Sequence, residues 1–101
     1  MVATKVNFSE ADLASSDLTA AVLQYVDLRG ASLAGANLVG AHLFCCDLSG
    51  ADLTDAVLSR SVCHGVTFCG ARMTRTRVYG VQFFRCNLDG VSLNGLIGWG
   101  E

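Results

Sequence analysis

An apolar residue recurs at every fifth position along most of the chain. Counted in fives from Val6 to Gly95, eighteen units follow one another without an insertion, and the third residue of each unit is apolar. A straight helix would turn these residues by about 140° per unit around its axis. A straight strand would send successive ones to opposite faces. Only a chain that bends after every five residues can bury them together.

We therefore predict that the third residues form the core of a coiled chain. The predicted core residues are Phe8, Leu13, Leu18, Leu23, Leu28, Leu33, Leu38, Leu43, Leu48, Leu53, Leu58, Phe68, Met73, Val78, Phe83, Leu88 and Leu93, and the one remaining third residue is Cys63. The first residue of each unit is always small, and side chains alternate along an extended segment, so the first and third residues both point inward. Nine of the eleven glycines are fifth residues, where the chain must bend and glycine is tolerated.

A second period, of twenty residues, indicates how many sides form one turn of the coil. First residues other than alanine, serine or threonine recur at this spacing, at Val6, Val26, Cys46, Val66 and Cys86. Among the other first positions only Val81 and Val91 are larger. Twenty residues are four units. We predict a four-sided coil of about four and a half turns, stacked at roughly 4.8 Å per turn, with one side packed differently inside.

This pattern resembles the pentapeptide repeat family, whose consensus is close to A(D/N)LXX. The triplets "ADL" at 11–13 and 51–53 and "ANL" at 36–38 match that consensus directly. The resemblance implies an all-β fold, a right-handed quadrilateral β-helix with the central leucine or phenylalanine inside. The domain boundaries that we predict are an N-terminal cap over 1–5, the repeat β-helix over 6–95, and a C-terminal cap segment over 96–101.

One side of the predicted coil has an unusual outer surface. In the first turn, sides one, two, three and four start at Val6, Ala11, Ser16 and Ala21. Side four therefore comprises 21–25, 41–45, 61–65 and 81–85. Its outward residues are mostly apolar, and Arg85 is the only charge among them. Such patches usually mark contact surfaces. The predicted interaction face is Val22, Tyr25, His42, Phe44, Val62, His64, Gln82, Phe84 and Arg85. The alternative is that these side chains tuck against the corners and have no partner.

Charge is unevenly distributed along the chain. Residues 1–55 contain seven acids and two bases, a net charge of -5, whereas residues 56–101 contain five arginines and two acids, a net charge of +3. Residues twenty apart should stack, which predicts two surface ion pairs, Asp52 with Arg72 and Asp55 with Arg75. Each such pair contributes about 0–1 kcal/mol. Three arginines have no acid stacked on them and are either solvated or hold an anionic partner: Arg60, Arg77 and Arg85.

Nothing in the sequence points to catalysis or to a cofactor. A filled rod has no cleft for catalytic groups, and the chain has no Gly-rich phosphate loop, HExxH or CxxC motif. We expect a non-enzymatic protein without a cofactor or metal. Inward cysteines (Cys46, Cys63 and Cys86) should act as small hydrophobes. A zinc site at His42, Cys45 and His64 is a weak alternative, because zinc takes about four ligands. These histidines could instead make a contact pH-sensitive.

Two functions remain open at this point. The first is a protein-interaction or scaffold module that docks an unidentified protein, or a second copy, through side four. The second follows from the resemblance, since some family members mimic B-form DNA, bind DNA gyrase and protect it from quinolones. We rank this function second because the net charge is only -2 and the C-terminal half is basic.

The start of the chain and its apolar stretches predict the compartment. The first twenty residues lack the basic and apolar segments of a secretory signal, and no apolar stretch is long enough to cross a bilayer. Five cysteines, an odd number, fit reduced thiols better than a disulfide framework. We therefore expect a cytoplasmic location, no membrane contact and no direct binding of nucleic acid.

Overall fold

The computed structural model describes residues 1–99 and shows a parallel β-solenoid. The chain returns to the same side after twenty residues, so that Val2 pairs with Val22 and each later strand continues this register. The stacking continues to Ile97, which bridges to Arg77. This confirms the predicted all-β, four-sided coil. No helix among these residues is long and apolar enough to cross a membrane.

Side four carries a continuous sheet. Its strands are β1 (Val2–Thr4), β2 (Val22–Gln24), β3 (His42–Phe44), β4 (Val62–His64) and β5 (Gln82–Phe84). They are parallel and lie in the order β1-β2-β3-β4-β5. The other three sides pair through single bridges, such as Asp12 with Ser32. Residues 1–5, which the sequence assigns to an N-terminal cap, supply β1 to this sheet, and Ala3 is buried.

The corner that follows side four differs from the other three corners. On the other sides the chain closes each corner with a backbone hydrogen bond, as when the amide of Ala11 donates to the carbonyl of Phe8 at 3.0 Å. With the positive φ of the fifth residue, this is a type II turn. Within residues 1–99 no such bond closes a corner after side four, and the Cys46 thiol donates to the carbonyl of Leu23 at 3.3 Å instead. This open corner explains why the larger first residues recur every twenty positions.

The third-position residues fill the axis of the solenoid. From Leu18 to Val78 every one of them is buried, with 7% or less of its surface exposed. The space left along the axis has a volume of about 20 Å³, which is room for one water molecule at most. The middle of the rod is therefore a packed core.

The predicted core does not extend through the two end coils. Leu88 and Leu93 are 38% and 52% exposed, whereas Phe8, Leu13 and Phe83 are partly buried. All five occupy third positions, but in the described residues each has a neighbouring coil on one side only. The prediction of a buried core is wrong for Leu88 and Leu93 for this reason.

The fifth position requires an unusual backbone conformation, which a substitution at Gly50 can test. Its φ lies between 53° and 71° in every unit from Lys5 to Gly95, and no β-branched residue occurs there. A Cβ added at Gly50 would meet nothing within 4 Å, so space does not limit the choice. We expect Gly50→Ala to lower the free energy of unfolding by about 1 kcal/mol and Gly50→Val by about 2 kcal/mol, as measured by urea denaturation. Equal losses in both variants would contradict this explanation.

Candidate functional site

Side four presents a ladder of aromatic rings on its outer surface. Phe44, His64 and Phe84 are the fourth residues of the side-four units in successive coils, and their ring centroids lie 5.1 Å and 5.0 Å apart. Tyr25 extends the ladder, with its ring 5.6 Å from that of Phe44. All three contacts are edge-to-face, a favoured aromatic geometry. The twenty-residue register creates this ladder, because it stacks equivalent positions directly on one another.

The predicted interaction face lies together on this sheet. Its residues, all on the outer side of β2 to β5 or at their ends, are Val22, Tyr25, His42, Phe44, Val62, His64, Gln82, Phe84 and Arg85. Tyr25 and Phe84 are 54% and 57% exposed, and Phe44 and His64 are half-buried between their neighbours. The four rings form an aromatic strip that is exposed at its two ends, Tyr25 and Phe84.

Trp99 completes a groove at one end of the strip. The groove has a volume of about 690 Å³ and is lined by Val62, His64, Val81, Gln82, Phe83, Phe84 and Trp99. Trp99 is 63% exposed, and its ring lies 6.1 Å from that of Phe83. The predicted cap over 96–101 contains Trp99, which is not part of the predicted interaction face. Its spacing of twenty from Tyr79 assigns it to side three, so the repeat gives no signal for its contact with the end of side four. Gly100 and Glu101 lie outside the described residues.

Arg85 is in contact with the ladder. Its guanidinium carbon lies 5.6 Å from the centroid of the Phe84 ring, within the range of a cation–π interaction. Within residues 1–99 no carboxylate lies within 4.0 Å of Arg60, Arg77 or Arg85. These three guanidinium groups therefore have no ion-pair partner within the described residues.

Charged side chains are segregated around the rod. Sides one and two carry seven acids and three arginines, a net charge of -4. Sides three and four carry four cations and one acid within residues 1–99, a net charge of +3, when Lys5 is counted on side four with β1. Both predicted ion pairs are present, Asp52 with Arg72 at 4.0 Å and Asp55 with Arg75 at 2.8 Å. A third pair joins Asp27 to Arg29 at 2.6 Å. All three pairs lie on sides one and two.

Hydrogen bonds keep the paired acids charged. The Arg29 side chain donates to Asp27 and holds the pKa of that carboxyl at about 2. The side chain of Arg75 lowers the pKa of Asp55 in the same way. Because an arginine partner offsets each of these carboxylates, sides one and two are less acidic to an approaching partner than their acid count suggests.

The two fully buried cysteines, Cys46 and Cys63, are unreactive. Burial raises the pKa of the Cys63 thiol to about 12, and burial also raises the pKa of Cys46, so neither forms the reactive thiolate at neutral pH. No group of three or more His, Cys, Asp or Glu residues suited to a metal occurs within residues 1–99. The geometry therefore gives no support to a zinc site at His42, Cys45 and His64.

Known proteins share this architecture. The model of the family "Pentapeptide repeats" matches residues 4–38 and 21–60. A pentapeptide repeat protein from Nostoc PCC 7120 is 32% identical, with 84% of this chain and 62% of that chain covered and a TM-score of 0.65. A pentapeptide repeat protein from the Arabidopsis thaliana thylakoid lumen is 26% identical, with 89% and 63% covered and a TM-score of 0.62.

A third structure has the same fold. It is the pentapeptide repeat protein Rfr23 from the cyanobacterium Cyanothece 51142, 26% identical, with 95% of this chain and 63% of that chain covered and a TM-score of 0.61. The chain thus spans slightly less than two thirds of each of these three structures. No curated protein matches it in sequence. The repeat, the fold and the matches together show that the chain belongs to the pentapeptide repeat family.

Proposed function

We propose that the protein is a non-enzymatic interaction module that binds a protein partner through side four. The observation that carries this proposal is the outward-facing ladder of Tyr25, Phe44, His64 and Phe84 on a parallel sheet. Aromatic residues and arginine are enriched at the centres of protein interfaces. An exposed apolar patch on a soluble domain commonly marks such an interface.

The body of the rod suits a binding scaffold better than an enzyme. Its axis is filled by third-position residues, so no enclosed cavity of useful size exists among the described residues of the core. Stacked backbone hydrogen bonds between successive coils, such as that from Leu48 to Thr67 at 2.7 Å, hold the surface rows at a fixed spacing. A rigid surface of this kind loses little conformational freedom when a partner binds.

The proposal is tested by placing a photo-crosslinking residue at one exposed position on each of two sides. Position 42 on side four should yield a covalent adduct in cells that express the protein, and position 12 on side two should not. Replacing Phe44 and Phe84 with glutamate should abolish the adduct at position 42, while circular dichroism shows that the solenoid remains folded. Adducts only at position 12, or adducts at position 42 that survive both substitutions, would overturn the assignment of side four.

Gyrase-directed DNA mimicry remains the second candidate. The acids of sides one and two favour it in part, because those two sides carry seven of the nine carboxylates of the chain. However, ion pairs offset three of these carboxylates, those of Asp27, Asp52 and Asp55. The remaining acid density is low for a surface that would replace DNA, which carries one negative charge per about 1.7 Å of its axis.

A further inference from the structure

We infer that the partner of side four contributes an acidic amphipathic helix that lies lengthwise along the aromatic ladder. This inference rests on the proposed function and specifies the partner. Three properties of the face support it: its dimensions, its apolar groove and the cations at its two edges.

The dimensions of the sheet match those of a single helix. Five strands at about 4.8 Å spacing extend about 24 Å along the rod, and a three-residue strand is about 10 Å wide. A helix is about 10–12 Å in diameter and rises 1.5 Å per residue, so one of about 16 residues covers the face.

The surface chemistry of the strip requires an apolar stripe on the helix. Phe84 is 57% exposed, and Trp99 beside it is 63% exposed. Together they border the groove of about 690 Å³ at the end of the ladder. Apolar side chains spaced three and four residues apart on a helix form a continuous stripe. Such a stripe can cover the ladder and place one large side chain in the groove.

Cations stand at both long edges of the ladder and favour acidic flanks on the helix. Arg60 is the last residue before side four, and its Cγ lies 3.7 Å from the position of a Cβ built on Gly80, at the same corner. Arg85 is the last residue of side four and contacts Phe84. Side four itself contains no carboxylate. Asp27 and Asp47 lie beside Tyr25 and Cys45 at the Arg85 edge, and Asp27 is paired with Arg29. Acidic residues on either side of an apolar stripe would meet one cation at each edge.

A second copy of the chain fits this face less well. Two copies docked through side four would bring two cation-edged surfaces together, since sides three and four have a net charge of +3. The sheet offers roughly 240 Å² by the dimensions above, well below the roughly 800 Å² per partner of a stable interface. A short helix that binds weakly and transiently is compatible with so small an area, because weak encounters lie at the low end of interface sizes.

The binding test uses a synthetic helix of about 16 residues with a leucine stripe flanked by glutamates. Trp99 is the only tryptophan of the chain, so its fluorescence reports directly on the groove. We expect a saturable blue shift with this peptide. We expect binding that is on the order of tenfold weaker with a version carrying lysine for glutamate, and none with a scrambled sequence of the same composition.

Two charge-reversed variants separate local recognition from overall charge. Arg60→Glu combined with Arg85→Glu should weaken binding of the acidic peptide on the order of tenfold or more. Arg72→Glu combined with Arg75→Glu introduces the same charge on side two and should have little effect. Equal weakening in both variants, or equal binding of the scrambled peptide, would overturn the inference in favour of unspecific attraction.

Two further measurements exclude other occupants. Binding to phosphatidylserine vesicles without binding to the acidic peptide would assign the face to an anionic lipid surface and overturn the inference. If the protein sediments as a dimer and Phe84→Glu converts it to a monomer, a second copy occupies side four. This result would also overturn the inference. If the photo-crosslinks at position 42 persist while the acidic peptide fails to bind, only the helix is wrong. If the crosslinks are also absent, the proposed function fails with it.

Discussion

Replacing Leu53 with alanine is expected to lower the free energy of unfolding by about 2–5 kcal/mol. Leu53 is completely buried and lies near the middle of the axis, with coils on both sides. Its amide donates to the carbonyl of Arg72 at 2.7 Å, and similar bonds hold every coil to the next. The backbone therefore cannot close around the missing atoms, and most of the cavity should remain. Urea denaturation of the two proteins measures the loss.

Leu93 provides the matched control for this substitution. It occupies the same third position in its unit, but it is 52% exposed in the end coil. Leu93→Ala removes the same atoms from a site that is already half in water, and we expect a loss below about 1 kcal/mol. Equal losses at the two positions would mean that the end coil is packed as tightly as the middle. A loss below about 1 kcal/mol at Leu53 would mean that the axis is not a packed core.

The five-residue period was sufficient to predict the middle of the solenoid. A five-residue spacing aligns apolar residues on one face of neither a helix nor a strand. Leu38 to Leu58 can therefore be buried together only if the chain bends regularly. The twenty-residue period then predicts which residues stack. It predicts the ion pairs of Asp52 with Arg72 and of Asp55 with Arg75, and the structure contains both. Periodicity is reliable here because each coil meets nearly the same environment as its neighbours.

The same reasoning fails where that environment changes. Leu88 and Leu93 follow the repeat, yet they are exposed because a periodic pattern does not state how many coils surround a residue. The pair of Asp27 with Arg29 lies within one unit and depends on side-chain rotamers that a spacing rule does not describe. Trp99 lies just past the counted units, so its position beside Phe83 depends on the local path of the last described coil.

The candidate site was predicted in its composition but not in its electrostatics. The aromatic positions of side four follow from the twenty-residue stack, so Phe44 and Phe84 could be assigned to one column. Net charge differs between the two halves of the chain, -5 against +3. The more informative comparison is around the rod, where the cations Arg60 and Arg85 border the ladder and the paired acids lie on other sides. Assigning each charged residue to one of the four sides gives this distribution from the sequence, but only the structure shows which charges are already neutralised.

Replacing Ala51 with valine is expected to lower the free energy of unfolding by about 1–3 kcal/mol, the effect of overpacking a filled core. Ala51 is completely buried, and its amide closes the corner by donating to the carbonyl of Leu48 at 3.0 Å. Two added methyl groups would have to displace either this turn or the neighbouring coil. Urea denaturation against the natural chain measures the loss.

Cys46→Val introduces the same side chain at the open corner and should change stability by less than about 1.5 kcal/mol. The equivalent position holds a valine one coil to either side of Cys46, and both of these valines, Val26 and Val66, are buried. Val81 and Val91 are the two large first residues outside this column, and both are only partly buried. They lie in the end coil, where fewer neighbouring atoms limit the size of a first residue. Corner geometry and the number of stacked coils therefore together determine the size of the first residue. Equal losses of unfolding free energy in Cys46→Val and Ala51→Val would contradict that rule.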